Sequence, residues 1–221
     1  MAGTFSALEI AHAYDQSRWL RRYVCRKIAG DPIFETAWKF ISLRRQPVWD
    51  LGCGIGLLGI SMRSGGLTER YRGFDTVAWR VNLAKEAMRH FGFEHIGFEV
   101  RDVLSVEVPT RATVCLIDVL HSLPDEEQSQ MLDRLANAAA SGSLVLLRTV
   151  FKEDGFRYIA ALVSEFLPHA DGWTCGGVLN FPRRSQLVGF FQSRGLRVGV
   201  IPVRSSPLCG GELVLIEKTD A

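Results

Sequence analysis

The chain has 221 residues, 47% of them hydrophobic and 23% charged, with a net charge of +2. Such a chain buries a substantial core in one globular α/β domain, which excludes a disordered or fibrous protein, and its near-neutral balance gives no overall field for nucleic acid. The five cysteines are scattered, with no Cys-x-x-Cys and no nearby Cys/His pair, which argues against zinc, any other metal and a disulfide framework.

Residues from about 5 to 44 read as helices, because Leu8, Ala11 and Tyr14, then Trp19, Leu20, Tyr23 and Val24, recur at helical spacing. Asp31-Pro32 marks a helix start, since the acid caps and proline suits the first turn. Arg18, Arg21, Arg22, Arg26 and Lys27 gather on this stretch. From Val48 strands and helices alternate: strands near 48–51, 71–75, 96–101, 113–118 and 143–148, helices near 57–64, 77–91 and 125–140. Alternation with short connections predicts a parallel sheet covered by helices. A helix near 154–167, a loop from His169 to Pro182 and a helix near 183–194 follow. Strands at 196–203 and 211–217, joined through Ser205-Ser206-Pro207, predict an antiparallel hairpin. No stretch has the eighteen or so apolar residues of a membrane span, and the first residues lack a basic start and an apolar core. A soluble, cytoplasmic protein is expected.

The densest signal is Asp50-Leu-Gly52-Cys53-Gly54-Ile-Gly56, a strand end, a glycine loop and a helix start. Glycines let the backbone approach a ligand and take positive φ, and the helix beyond offers unpaired N–H groups. Two readings fit. Gly54-Ile-Gly56-Leu-Leu-Gly59, with Asp75 some twenty residues on, matches a dinucleotide fingerprint and so an NAD(P)-dependent reductase. Counted from Asp50, the same stretch resembles the cofactor loop of class I S-adenosyl-L-methionine (SAM) methyltransferases. The Asp50 carboxylate favours the second reading, since it repels a pyrophosphate and suits the cationic, amino-bearing half of SAM.

That resemblance covers about residues 46–218. It implies a Rossmann-like fold: a seven-stranded, mostly parallel sheet of order 3-2-1-4-5-7-6 with an antiparallel terminal hairpin. It also implies one methyltransferase domain over residues 1–221, with a helical lid at 1–45 and a SAM-binding core at 46–221. Ligands of such sheets sit beyond the carboxyl ends of the strands. Asp75, with Thr76 beside it, is expected at the ribose, although aspartate there also caps a helix. By resemblance, Asp102 takes the adenine amino group with Val103 flanking the ring, and Cys53 fits beneath the cofactor. Asp118, Val119 and Leu120 lie near the methionine half. Gly52, Gly54 and Gly56 complete the set.

Asp118-Val-Leu120-His121-Ser-Leu-Pro124 is similar to the segment after the fourth strand of many small-molecule methyltransferases. It departs from the Asn/Asp-Pro-Pro-aromatic signature of enzymes that methylate DNA bases, so no nucleic-acid partner is expected. Its His121 is the candidate base, because imidazole titrates near neutrality; in many relatives a histidine there only packs beside the cofactor. Arg148 either faces the acceptor or pairs with Asp118 or another carboxylate.

Further segments resemble bacterial methyltransferases of aryl polyene and xanthomonadin-type pigment biosynthesis: Tyr23-Val-Cys-Arg-Lys27, Gly172-Trp173 and Phe181-Pro182. The subgroup's Asn-Asn run is replaced here by Arg204-Ser-Ser-Pro207-Leu-Cys-Gly-Gly-Glu212. This resemblance implies a small aromatic, phenolic or acyl acceptor, S-adenosyl-L-homocysteine (SAH) as product, and an acyl carrier protein bearing the acceptor. A non-catalytic SAM-binding scaffold is the other alternative.

Overall fold

The computed structural model describes residues 5–155, 158–159, 179–204 and 210–219. They fall into two compact units, residues 1–107 and 108–221. Within the first unit, α1 (Ala7–His12), α2 (Arg18–Gly30) and α3 (Ile33–Arg44) precede β1 (Val48–Leu51). Then come α4 (Leu57–Ser64), β2 (Tyr71–Asp75), α5 (Ala78–Phe91) and β3 (Ile96–Val100). Side chains set the helix starts. Ser6 and Glu9 form a capping box on α1, and Ser17 accepts from the Leu20 N–H on α2. Asp31 accepts from Ile33 N–H at 3.1 Å, so the expected acid does start α3, with Pro32 in the cap position.

β1 runs parallel to β2, with Asp50 opposite Gly73, and β2 parallel to β3, with Gly73 opposite Phe98. Two glycines allow the layers to meet. A Cβ on Gly59 of α4 would come 2.5 Å from the Tyr71 ring, and one on Gly73 would come 2.7 Å from Phe98. The core of this unit gathers Val24, Ile41, Ile60, Tyr71 and Phe98.

The second unit holds β4 (Thr113–Ile117), a 3-10 turn at Leu120–Ser122, α6 (Asp125–Ala140) and β5 (Leu144–Thr149). After them come a 3-10 turn at Lys152–Asp154, α7 (Arg184–Gln192), β6 (Leu196–Arg204) and β7 (Gly210–Lys218). Val114, Cys115, Leu116, Val145, Leu146 and Leu147 are all fully buried, the unbroken apolar run of strands covered on both faces. Asp125, Glu126 and Glu127 in the first turn of α6 match its dipole. β4 is parallel to β5, while β7 is antiparallel to both β5 and β6.

The strands form one sheet of order β3-β2-β1-β4-β5-β7-β6, as expected from the resemblance. Boundaries moved by one or two residues, most visibly at β5, which runs on to Thr149. Most of the helix expected near 154–167 lies outside the described residues. So do His169, Gly172, Trp173, Cys175 and the connection through Ser205, Ser206, Pro207 and Cys209.

Candidate functional site

The first unit assembles its site around the loop after β1. Gly52, Gly54 and Gly56 all have positive φ, at 84°, 54° and 79°, the conformation their spacing implied. Gly56 is also sterically required, since a Cβ there would lie 2.6 Å from that of Ala84 and 2.8 Å from Phe98. Gly54 is different: a Cβ on it would meet nothing within 4 Å, so its outer side is open. The N–H groups of Gly52 and Cys53 both point back to the Phe74 carbonyl, at 2.8 and 2.9 Å. The loop is therefore stitched to the end of β2. α4 begins directly after Gly56 with no side-chain cap, unlike α1 and α2. Its first N–H groups are the kind of donors an anion or polar ligand takes.

Asp75 ends β2 and organises this loop. Its Oδ2 accepts from Gly54 N–H and its Oδ1 from Val77 N–H, each at 2.9 Å, while its own carbonyl accepts from Arg101 N–H at 3.0 Å. The cap and the ligand role read from the sequence are compatible, because a carboxylate has about four acceptor sites. Thr76 beside it is exposed. Asp102 is exposed too. Its Oδ1 accepts from Leu104 N–H at 2.9 Å to start a 3-10 turn at Val103–Ser105, and Val103 is buried within that turn.

Asp50 lies beneath the loop, only 2% exposed, and accepts a hydrogen bond from the Tyr71 hydroxyl. Burial pushes its carboxyl up to about 7, the Tyr71 hydrogen bond opposes this, and the charge of Asp75 adds to it. The repulsion of a pyrophosphate read from the sequence is correspondingly weaker than a fully ionised carboxylate would give. Burial also holds the Cys53 thiol well above its ordinary value, with Asp50 and Asp75 reinforcing the shift. Cys53 thus sits as a small neutral side chain under the loop. Fully buried Tyr14 donates its hydroxyl to the Ile55 carbonyl at 2.9 Å, which ties the turn after α1 to the glycine loop.

The second unit carries its candidate residues where β4 ends. Asp118 takes φ of 58°, uncommon for a side-chain-bearing residue, and its Oδ2 accepts from Arg148 Nη1 at 3.1 Å. Of the two roles read for Arg148, the structure has the pairing. Asp118 does not cap a helix; α6 starts seven residues later, at Asp125. Val119 is half-buried, Leu120 is fully buried, and His121 is 4% exposed on the 3-10 turn. The His121 ring stacks on Phe181, with centroids 4.5 Å apart and planes 9° from parallel. Tyr158 meets the same phenylalanine edge-on at 5.5 Å.

Three contributors were not singled out in the sequence as site residues. Tyr71 shares a face with Asp50 through the β1–β2 register, a signal that alternation along 71–75 does contain. Gln128 on α6 reaches the carbonyls of Leu120, Leu123 and Asn180 at 2.9, 3.1 and 2.6 Å, holding the His121 turn against the segment before α7. Phe181 was noted only as part of a resemblance. Among the described residues, no group of three or more His, Cys, Asp or Glu side chains is placed to hold a metal. No described helix is long and apolar enough to cross a membrane.

Residues 18–199 match a protein family described as a methyltransferase domain. No curated protein matches the chain. Among solved structures, magnesium protoporphyrin IX methyltransferase from Synechocystis PCC 6803 with bound SAH is 18% identical, with a TM-score of 0.65 over 92% of this chain and 89% of that one. An O-methyltransferase family 2 protein from Planctomyces limnophilus DSM 3776, in complex with apigenin, is 17% identical, with a TM-score of 0.60 over 84% and 62%. The pyocyanin biosynthetic protein PhzM is 14% identical, with a TM-score of 0.62 over 95% and 62%. At these identities the likeness is one of fold.

Proposed function

We infer the reaction from one premise: this chain belongs to the methyltransferase domain family. It is a SAM-dependent methyltransferase acting on a small aromatic, phenolic or acyl molecule. The observation that carries this reading is the glycine loop with Asp75. Three positive-φ glycines at alternate positions, an uncapped helix start and a carboxylate with acceptor sites to spare fit a ribose and a polar methionine tail. The open side of Gly54 leaves room for the cofactor to lie against the backbone. The neighbours of this fold act on a porphyrin and bind apigenin, which supports a small-molecule acceptor.

Asp75 holds the ribose hydroxyls with its remaining lone pairs, Asp102 takes the adenine amino group, and Val103 flanks the ring. Gly52, Cys53, Gly54, Gly56 and Thr76 line the cofactor, with Asp50 below them. Asp118, Val119 and Leu120 hold the methionine half. Residues 1–45 act as a lid, a role that the Tyr14 hydrogen bond to Ile55 supports. SAM supplies an electrophilic methyl group on a sulfonium sulfur. The chain's own part is to align the acceptor and exclude water. For a phenolic acceptor, His121 would take the hydroxyl proton while bound SAM would supply the methyl group, so that the products are the methyl ether and SAH. Stacking on Phe181 fixes the imidazole plane for that role.

The finer reading, a pigment-pathway enzyme of bacterial secondary metabolism whose acceptor rides on an acyl carrier protein, rests on the sequence resemblance. The exposed arginines of α2, Arg18, Arg22 and Arg26, would dock an acidic carrier.

Calorimetric titration with SAM, SAH and NADH tests the cofactor. Micromolar binding of the first two alone is expected, and Asp75→Ala should weaken it by about 1–3 kcal/mol. Binding of NADH alone would make the chain a reductase. SAM binding with no turnover on any acceptor would make it a scaffold. His121→Phe keeps the ring stack and removes the base, so turnover of a phenol should fall while SAH affinity holds.

A further inference from the structure

Glu212 lies on the row of the second unit's sheet where β5 ends. It stands opposite Thr149 on one side and Pro202 on the other. It is 2% exposed, yet two arginines reach it. Its Oε1 accepts from Arg184 Nη2 at 2.6 Å and from Arg204 Nη2 at 3.0 Å. Two guanidinium groups thus converge on a single oxygen, closer to each other than those two distances laid end to end. The second oxygen, Oε2, is buried and has no hydrogen-bond partner among the described residues. Arg–carboxylate pairs are frequently bidentate, whereas here a single oxygen of Glu212 holds two arginines side by side, with Asp154 as a second carboxylate on Arg184.

Arg184 is also held from other directions. Its Nη2 lies 3.3 Å from Asp154 Oδ1, and its guanidinium carbon is 5.0 Å from the Phe151 ring centroid. Both arginine side chains nevertheless remain about two-fifths exposed, at 42% and 37%. Each guanidinium has five N–H donors, and among the described residues the contacts to Glu212 and Asp154 engage only one nitrogen of each, which leaves most donors for a second anion. The surrounding segments carry Lys152, Arg183, Arg184 and Arg204 against Glu153, Asp154 and Glu212, leaving a positive balance. Arg204 and Glu212 also bracket the stretch where the chain departs from the pigment-type pattern.

We propose that Arg184 and Arg204, gathered by Glu212, form a clamp for a carboxylate on the methyl acceptor. The acceptor class is then an aromatic acid, with the ring carrying the methylated group and the acid group read by the two guanidiniums. This rests on the transferase reading and narrows its substrate. Planar, fork-shaped donors held rigid before binding suit a carboxylate better than a neutral ester or amide.

The test is a calorimetric titration of the SAH-loaded protein with 4-hydroxybenzoate, its methyl ester and 4-hydroxybenzamide. The acid should bind at least tenfold more tightly than either neutral analogue, the scale of a hydrogen-bonded charge. Arg204→Gln should remove that preference, Arg204→Lys should keep part of it, and Arg183→Gln should leave it intact. Melting curves of each variant separate a lost clamp from a lost fold, and the lysine variant keeps a cation beside Glu212. Equal affinity for acid and ester, or binding of none of the three, overturns the clamp. Competition by inorganic phosphate as strong as that of the acid overturns its assignment to a carboxylate. Failure of SAH itself to bind removes the transferase reading instead, and the same panel without SAH still tests the clamp.

Discussion

The glycine loop of the first unit and the carboxyl-end rim of the second are built by different means. The loop is mostly backbone: positive-φ glycines, main-chain hydrogen bonds to Phe74, and one carboxylate accepting two N–H groups. The rim is made of side chains drawn from distant parts of the sequence: His121 on Phe181, Gln128 on three carbonyls, two arginines on Glu212. A site made of backbone tolerates few replacements but announces itself in sequence. A site made of side chains can change its ligand by changing a few residues, and leaves no spacing to read.

The contrast can be broken most sharply at Gly56. Replacing it with alanine forces a Cβ into Ala84 and Phe98 at φ of 79°, so strain and overpacking together should cost about 4 kcal/mol in denaturant unfolding. A loss below about 1 kcal/mol would mean that the loop yields more easily than its packing implies. On the rim, Gln128→Leu should cost about 2–3 kcal/mol by leaving buried carbonyls without their donor. If the rim is indeed a side-chain construction, SAH affinity should change less than stability does.

Asp50 sharpens the comparison through pH. Its folded pKa is about 7, above the unfolded carboxyl value of about 3.9, so between those values the folded protein holds the extra proton. Its contribution to stability is therefore greatest below the unfolded value and falls as pH rises toward and through 7. Asp50→Asn should stabilise the protein by about 4 kcal/mol more at pH 8 than at pH 4, read from paired melting curves. A pH-independent difference would show that Asp50 is ionised without cost. The smallest effect is expected from Tyr14→Phe, which removes one hydroxyl bond to Ile55 and should cost about 1 kcal/mol.

These differences also explain what the sequence disclosed. The parallel sheet and the glycine loop were legible because strand–helix alternation and positive-φ glycines constrain residue type at fixed intervals, whereas the strand order came only with the resemblance to class I methyltransferases. The Arg148 pairing with Asp118 was one of the alternatives, because nothing in a strand's sequence says which side chain a residue near its end meets. The Tyr71 bond to Asp50 depended on register, and the meeting of Arg184, Arg204 and Glu212 depended on three segments converging after the sheet had formed. Such convergence is a product of tertiary packing and has no local periodicity. Asp50 was read as a charged signpost; burial makes it a titrating group instead.

Cys53 gives the loop a built-in clock. It is buried under the glycine turn with a thiol that resists ionisation, while Cys25 on α2 is half-buried. A thiol-alkylating reagent followed by peptide mass mapping should label Cys25 in the closed protein and reach Cys53 only in the moments when the loop lifts. The labelling rate at Cys53 then counts those openings directly, and a ligand seated on the loop should slow the count without any acceptor being known.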